Sequence, residues 1–123
     1  MTYTVEQTAE MLVLSIQTVT AYIRRGDLEH DGQGVTDASI VAYLDRRIPN
    51  RADILAAAEW DGWGDPANFV HNAKPLQMRE VLSRRARCPN RAEIGRKLGL
   101  THERIRRIEI DALRIWKDKT EQV

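Results

Sequence analysis

Apolar residues recur along this chain at helical spacing in short stretches, most of them opened by a polar capping residue and closed by glycine or proline. Thr4 and Gln7 form a capping-box pair ahead of Val5, Ala9 and Leu12, which predicts a short helix ending near Val13. Ser15 is placed to cap a second helix through Arg25, with Ile16, Val19 and Ile23 on one stripe and Gly26 as its stop. The stretch DLEHDGQGVT, residues 27–36, carries two glycines and suits a small β-wing or tight hairpin. A helix over Asp37 to Arg47 then turns Ile40, Val41 and Leu44 inward.

Pro49 breaks this first pattern, and Asn50 with Asp53 predicts a capped helix that ILAAAEW carries to about Trp60. Residues 61–75 read as a turn-rich connector with room for one short helix after Pro66. Pro75 opens a helix over about 76–87, Asn90 with Glu93 caps another through Leu98, and Thr101 caps a long one through about Lys119. The fold class is therefore mainly α: two helix-turn-helix units, residues 1–48 with a β-wing and residues 76–123 without one, joined by a helical, turn-rich connector at 49–75. PNRADI at 49–54 and PNRAEI at 89–94 echo each other, which fits a duplicated module or, better, two uses of one good helix start. Trp60, Trp63 and Phe69 pack the connector, the alternative being an aromatic docking patch.

A length of 123 residues suffices for one ordinary domain or two very small ones with thin cores. With 42% apolar and 30% charged residues and no bilayer-length apolar run, the composition is that of a globular protein. The first 15 residues lack the features of a secretory signal, so the expected location is the cytoplasm, on DNA. Cys88, the single cysteine, has no disulfide partner and no ligand set at metal spacing, and is expected to be a buried thiol. His30, His71 and His102 are scattered, there is no glycine-rich phosphate loop, and Glu59, Asp61 and Asp65 sit in what reads as a turn. No enzyme activity, cofactor or metal is expected. The net charge of +1 conceals an asymmetry: residues 79–119 hold 13 Lys/Arg against 6 Asp/Glu, whereas residues 1–78 hold 6 against 11. A polyanion would prefer the second half.

The sharpest constellation is AEIGRKLGLTHERIRRIEIDALRIWK, residues 92–117. Ile94 and Leu98 point inward, Gly99 makes the tight turn, Leu100 plugs the corner and Thr101 caps the next helix. On that helix Ile105, Ile108, Ala112 and Ile115 or Trp116 share a core face, while Glu103, Arg106, Arg107, Ile110, Arg114 and Lys117 lie opposite, with His102 and Arg104 near its start. Arginine suits groove reading because its fork bonds guanine O6 and N7 together, and free N–H groups at the helix start suit a phosphate. Ile110 is open to three readings: contact with a thymine methyl, contact with a protein, or a plain surface residue. These residues resemble region four of the primary sigma factor family over about 78–117, through Glu93-Ile94-Gly95, Leu98-Gly99-Leu100, Thr101, the run from Glu103 to Glu109, and Ala112-Leu113. His102 stands where that family often has arginine and Arg107 where it often has glutamine, so the resemblance implies the fold more than the target sequence.

Residues 3–47 resemble the excisionase and MerR-type winged helix-turn-helix, through Thr4-Val5-Glu6-Gln7, Ala9, Leu12, Ser15, Thr18-Val19, Tyr22 to Leu28, and Asp37, Ile40 and Tyr43-Leu44. That resemblance implies a DNA contact by Ser15, Gln17, Thr18, Ala21, Tyr22, Arg24, Arg25 and the Gly32–Gly34 turn. Val13 replaces the family's turn glycine, Ile16-Gln17 stand where arginines are usual, and the wing holds Asp31 but no Lys or Arg.

Together the two resemblances imply a sequence-specific double-stranded DNA-binding transcriptional regulator of bacterial or bacteriophage type, a repressor, reading the major groove with the C-terminal recognition helix through Thr101, His102, Glu103, Arg104, Arg106, Arg107, Ile110 and Arg114. Two readers on one chain can address a bipartite site as a monomer. Two alternatives stay open: an excisionase-like DNA-bending factor for site-specific recombination, and a protein-interaction adaptor engaging RNA polymerase or another regulator.

Overall fold

Thr4 Oγ1 accepts the Gln7 N–H at 3.0 Å while the Gln7 side chain accepts the Thr4 N–H at 2.9 Å. This reciprocal box starts α1 (Val5–Leu12) in the computed structural model, which describes residues 1–70 and 73–121. His71 of the scattered histidines, Asn72 of the connector and the last two residues of the C-terminal segment lie outside the described residues. The chain is mainly helical, with a small two-stranded sheet, and divides into two units: Met1–Pro49 with Arg87–Pro89, and Asn50–Ala86 with Asn90–Val123.

In the first unit, α1 meets α2 (Ile16–Arg25) across a turn held by Val13 at φ 55°, a left-handed conformation that a β-branched residue adopts only under strain. Ser15 Oγ accepts the Thr18 N–H at 3.1 Å to start α2, and Gly26 at φ 83° ends it. β1 (Thr2–Tyr3) pairs antiparallel with β2 (Val35–Thr36), Thr2 opposite Thr36 and Tyr3 opposite Val35. The expected wing is thus a tight loop closed by a single His30–Val35 bridge, and the sheet partner of Val35 is the N-terminal strand. Asp31 Oδ1 accepts the N–H groups of Gln33 and Gly34, at 2.9 and 3.2 Å; the Gln33 bond above all holds its carboxyl below the usual range. The acid in the wing is therefore a turn-former. Thr36 caps α3 (Asp37–Arg47).

Leu12, Val19, Leu28, Val35, Ile40, Tyr43, Leu44 and Ile48 close the first core, and Cys88 is buried as expected. Two stripe assignments change. Ile16, at the first position of α2, is 50% exposed, and Val41 is 40% exposed while Tyr43 takes the inward place beside Leu44. An aromatic ring covers more of this thin core than a valine does, and its face receives the ring of Tyr22, 5.6 Å away.

The second unit runs α4 (Arg51–Ala58), two 3₁₀ turns at Asp61–Gly64 and Pro66–Asn68, α5 (Pro75–Arg85), α6 (Arg91–Leu98) and α7 (His102–Thr120). Asn50 does not cap α4 through its side chain; it sits in the left-handed region at φ 60°, and the helix ends at Ala58, short of Trp60. The segment read as a connector supplies Ile54, Ala57 and Trp63 to a core completed by Val81, Leu82, Ile94, Ile105, Ile108 and Ala112. Trp63 donates its indole N–H to the Ala57 carbonyl at 2.7 Å, stacks on Phe69 and meets the edge of Trp60. α4 packs on α5 and α7 because three thin helices need the added apolar surface of a fourth and a tryptophan. Among the described residues, no helix is long and apolar enough to cross a membrane and no group of His, Cys, Asp and Glu could hold a metal.

Candidate nucleic-acid interface

The turn between α6 and α7 is built by two glycines with different tasks. Gly99 supplies the left-handed step at φ 70°. Gly95 lies one turn earlier, where its carbonyl accepts the Leu100 N–H at 2.8 Å; a Cβ on Gly95 would overlap the Leu100 carbonyl oxygen. The second helix can therefore start close against the first. Thr101 Oγ1 accepts the Arg104 N–H at 3.1 Å and fixes the start of α7.

From that anchor α7 presents two faces. Ile105, Ile108 and Ala112 are buried, and Ile115 and Trp116 half-buried. Thr101, His102, Glu103, Arg104, Arg106, Arg107, Ile110 and Arg114 are all exposed. At about 100° per residue, Glu103, Arg107, Ile110 and Arg114 fall along the line opposite the core, with Arg106 and Lys117 on one flank. Arg104 falls on the other flank, where it lines a shallow hollow with Lys74, Gln77, Met78 and Asp111. Of the expected reading set, Glu103, Arg106, Arg107, Ile110 and Arg114 thus share this stripe, while Arg104 is set aside from it and Thr101 and His102 lie at the helix start.

Glu103 organises this stripe. Its carboxylate receives Arg106 at two points, Nε at 3.1 Å and a terminal nitrogen at 2.8 Å, and Arg107 approaches to 3.5 Å. The Arg106 guanidinium holds the Glu103 carboxyl below the usual glutamate range, and Arg106 itself is raised by the same bonds. Arg114 pairs with Asp111 at 3.3 Å. Exposed pairs of this kind are weak and exchange readily for a stronger anion.

In the first unit the implied contact residues divide. Ser15 and Thr18 spend their hydroxyls on each other and on the cap, at 2.8 and 3.1 Å. Tyr22 packs on Tyr43, while Arg25 lies 4.8 Å over the Tyr22 ring and pairs with Asp27 at 2.8 Å. Gln17, Ala21 and Arg24 are exposed on the outer face of α2.

Two features of the second unit escaped the sequence reading. One is the close approach at Gly95. The other is a buried ionic fork: Glu109, 5% exposed, receives Arg85 of α5 on Oε1 at 3.2 Å and Arg91 of α6 on Oε2 at 2.9 Å. The signal was available, since Glu109 falls between Ile105, Ile108 and Ala112 on the core stripe, where an acid needs a buried cation.

The fold and this face define a helix-turn-helix in the second unit, capped and closed by glycine as DNA-reading modules are. Residues 75–115, about a third of the chain, match the family model for region 4 of sigma-70. The C-terminal resemblance therefore stands, and the match takes in α5, α6 and most of α7. No curated protein and no solved structure matches the chain.

Proposed function

We propose that this protein is a sequence-specific double-stranded DNA-binding transcriptional regulator of bacterial or bacteriophage type, acting as a repressor in the cytoplasm without cofactor or catalysis. The observation that carries this reading is the exposed stripe of Arg106, Arg107, Ile110 and Arg114 on a helix whose opposite face is core, set across a turn as tight as the one at Gly95 and Gly99. In the groove, Arg106 and Arg107 exchange Glu103 for guanine edges or phosphates, Thr101 and His102 meet the backbone at the helix start, and Ile110 lies against a thymine methyl. The likeness of residues 75–115 to region 4 of sigma-70 supports the same use. Gln17, Ala21 and Arg24 of the first unit form a second contact, so that one chain addresses a bipartite site.

The test is selection of bound sequences from random duplex DNA, followed by salt titration of wild type and an Arg106→Ala/Arg107→Ala variant. A defined motif is expected, with affinity falling by about 1–3 kcal/mol for each lost base contact and the salt slope reduced by about 1 for each lost phosphate contact. Binding without a motif that ignores both salt and the arginines overturns the reading. A second reading, an adaptor that engages RNA polymerase, is favoured by Ile110, 50% exposed in the middle of the stripe. It predicts polymerase binding that survives high salt and is lost in Ile110→Asp.

A further inference from the structure

The fork at Glu109 is the one buried charge constellation among the described residues that the proposed DNA contact does not use. It joins the three helices that matter for reading: Arg85 from the last turn of α5, Arg91 from the first position of α6, and Glu109 from the middle of α7. Arg85 and Glu109 are 3% and 5% exposed, so both charges have been taken out of water. Desolvation of this kind offsets most of the attraction, and a buried pair is weak evidence for stability. Its directional demands are another matter. A carboxylate that must give one oxygen to each of two planar guanidinium groups fixes the rotation and the height of its own helix far more narrowly than apolar contacts, which tolerate sliding.

Glu109 is separated from Arg106 by less than one helical turn, so a rotation of α7 that the fork forbids would swing the arginine stripe around the same axis. We infer that Glu109, with Arg85 and Arg91, is a positioning element that sets the register of α7 against α5 and α6 and thereby the base discrimination of the stripe. This rests on the DNA-reading proposal and goes beyond it by assigning specificity to residues that never touch DNA.

The test uses the full-length protein and two variants. Glu109→Ala removes the carboxylate from a buried guanidinium and is expected to unfold the unit or nearly so, so the deciding variant is Arg85→Met/Glu109→Leu, which removes both charges at constant net charge and similar volume. Affinities are measured for the selected motif and for scrambled duplex at several salt concentrations, with helicity and thermal unfolding alongside. The expected result is a folded double variant that binds scrambled duplex as wild type does but whose preference for the motif drops by about tenfold or more, the equivalent of one bidentate base contact. Restoring only Glu109→Gln in place of Leu is expected to recover part of that preference.

An unchanged preference in a folded double variant overturns the inference and leaves the DNA reading standing. A double variant that no longer folds also overturns it, since the fork is then a stability element. If wild type itself shows no preference for any motif, the DNA reading fails and the positioning role with it.

Discussion

Placing alanine at Gly95 separates ordinary helix behaviour from the demands of this turn. In a solvent-facing helix interior, glycine to alanine stabilises by about 1 kcal/mol, because the chain loses less backbone freedom on folding. Here the added methyl overlaps the Leu100 carbonyl oxygen and comes within 3.3 and 3.4 Å of the Leu100 and Thr101 carbonyl carbons. All three are backbone atoms of the turn, so relief requires α6 and the start of α7 to move apart. That movement costs about 1–3 kcal/mol as overpacking. It also stretches the Leu100 to Gly95 hydrogen bond, now 2.8 Å, a further loss of about 1 kcal/mol. Set against the helix gain, the net is a destabilisation of about 2 kcal/mol, or roughly 10 °C in the midpoint of a unit this size. Thermal unfolding followed by circular dichroism measures it, and DNA affinity should fall in parallel because the arginine stripe moves with α7. A midpoint equal to or above wild type would refute the close-approach reasoning, since the helix propensity would then have prevailed unopposed.

Trp63→Ala should destabilise by about 3–5 kcal/mol in urea unfolding, through the lost burial and the lost indole hydrogen bond to the Ala57 carbonyl; a loss under about 1 kcal/mol would mean the segment is a linker after all. Val13→Gly should stabilise the first unit by about 1 kcal/mol, because glycine holds φ 55° without strain, and a lower midpoint by calorimetry would contradict the strained turn. For Glu103 the folded-state pKa is lowered, so its pairing with Arg106 is complete above the ordinary glutamate value and is lost as pH falls through the lowered one. Carboxyl-carbon NMR should therefore place the Glu103 midpoint below the usual range, and Arg106→Gln should bring it back up; a midpoint already at the ordinary value in wild type would remove the pairing.

Local order was legible because it is written in short range. Thr4, Ser15 and Thr101 cap their helices because a hydroxyl reaches an N–H three residues on, whatever the rest of the chain does. Gly26 and Gly99 end helices for an equally local reason. The exposed stripe on α7 followed from periodicity, and the residues from Glu93 to Leu113 were enough to suggest a module that the family match at 75–115 supports.

Other features depended on what lies across the fold. Which of Val41 and Tyr43 turns inward depends on the ring of Tyr22 that waits opposite, and nothing in the helical period of residues 37–47 names it. Asn50 looked like a cap, yet the chain enters α4 through a left-handed step that turns its side chain away from the task. Trp63 read as part of a connector because its turn-rich neighbours carry no period, and only the packing of α4 on α5 and α7 makes it core. Glu109 needed Arg85 and Arg91, 24 and 18 positions away, before its place on an apolar face made sense. Capping and periodicity act within a turn or two of helix, whereas burial and ion pairing are decided by neighbours that the chain brings together only when it folds.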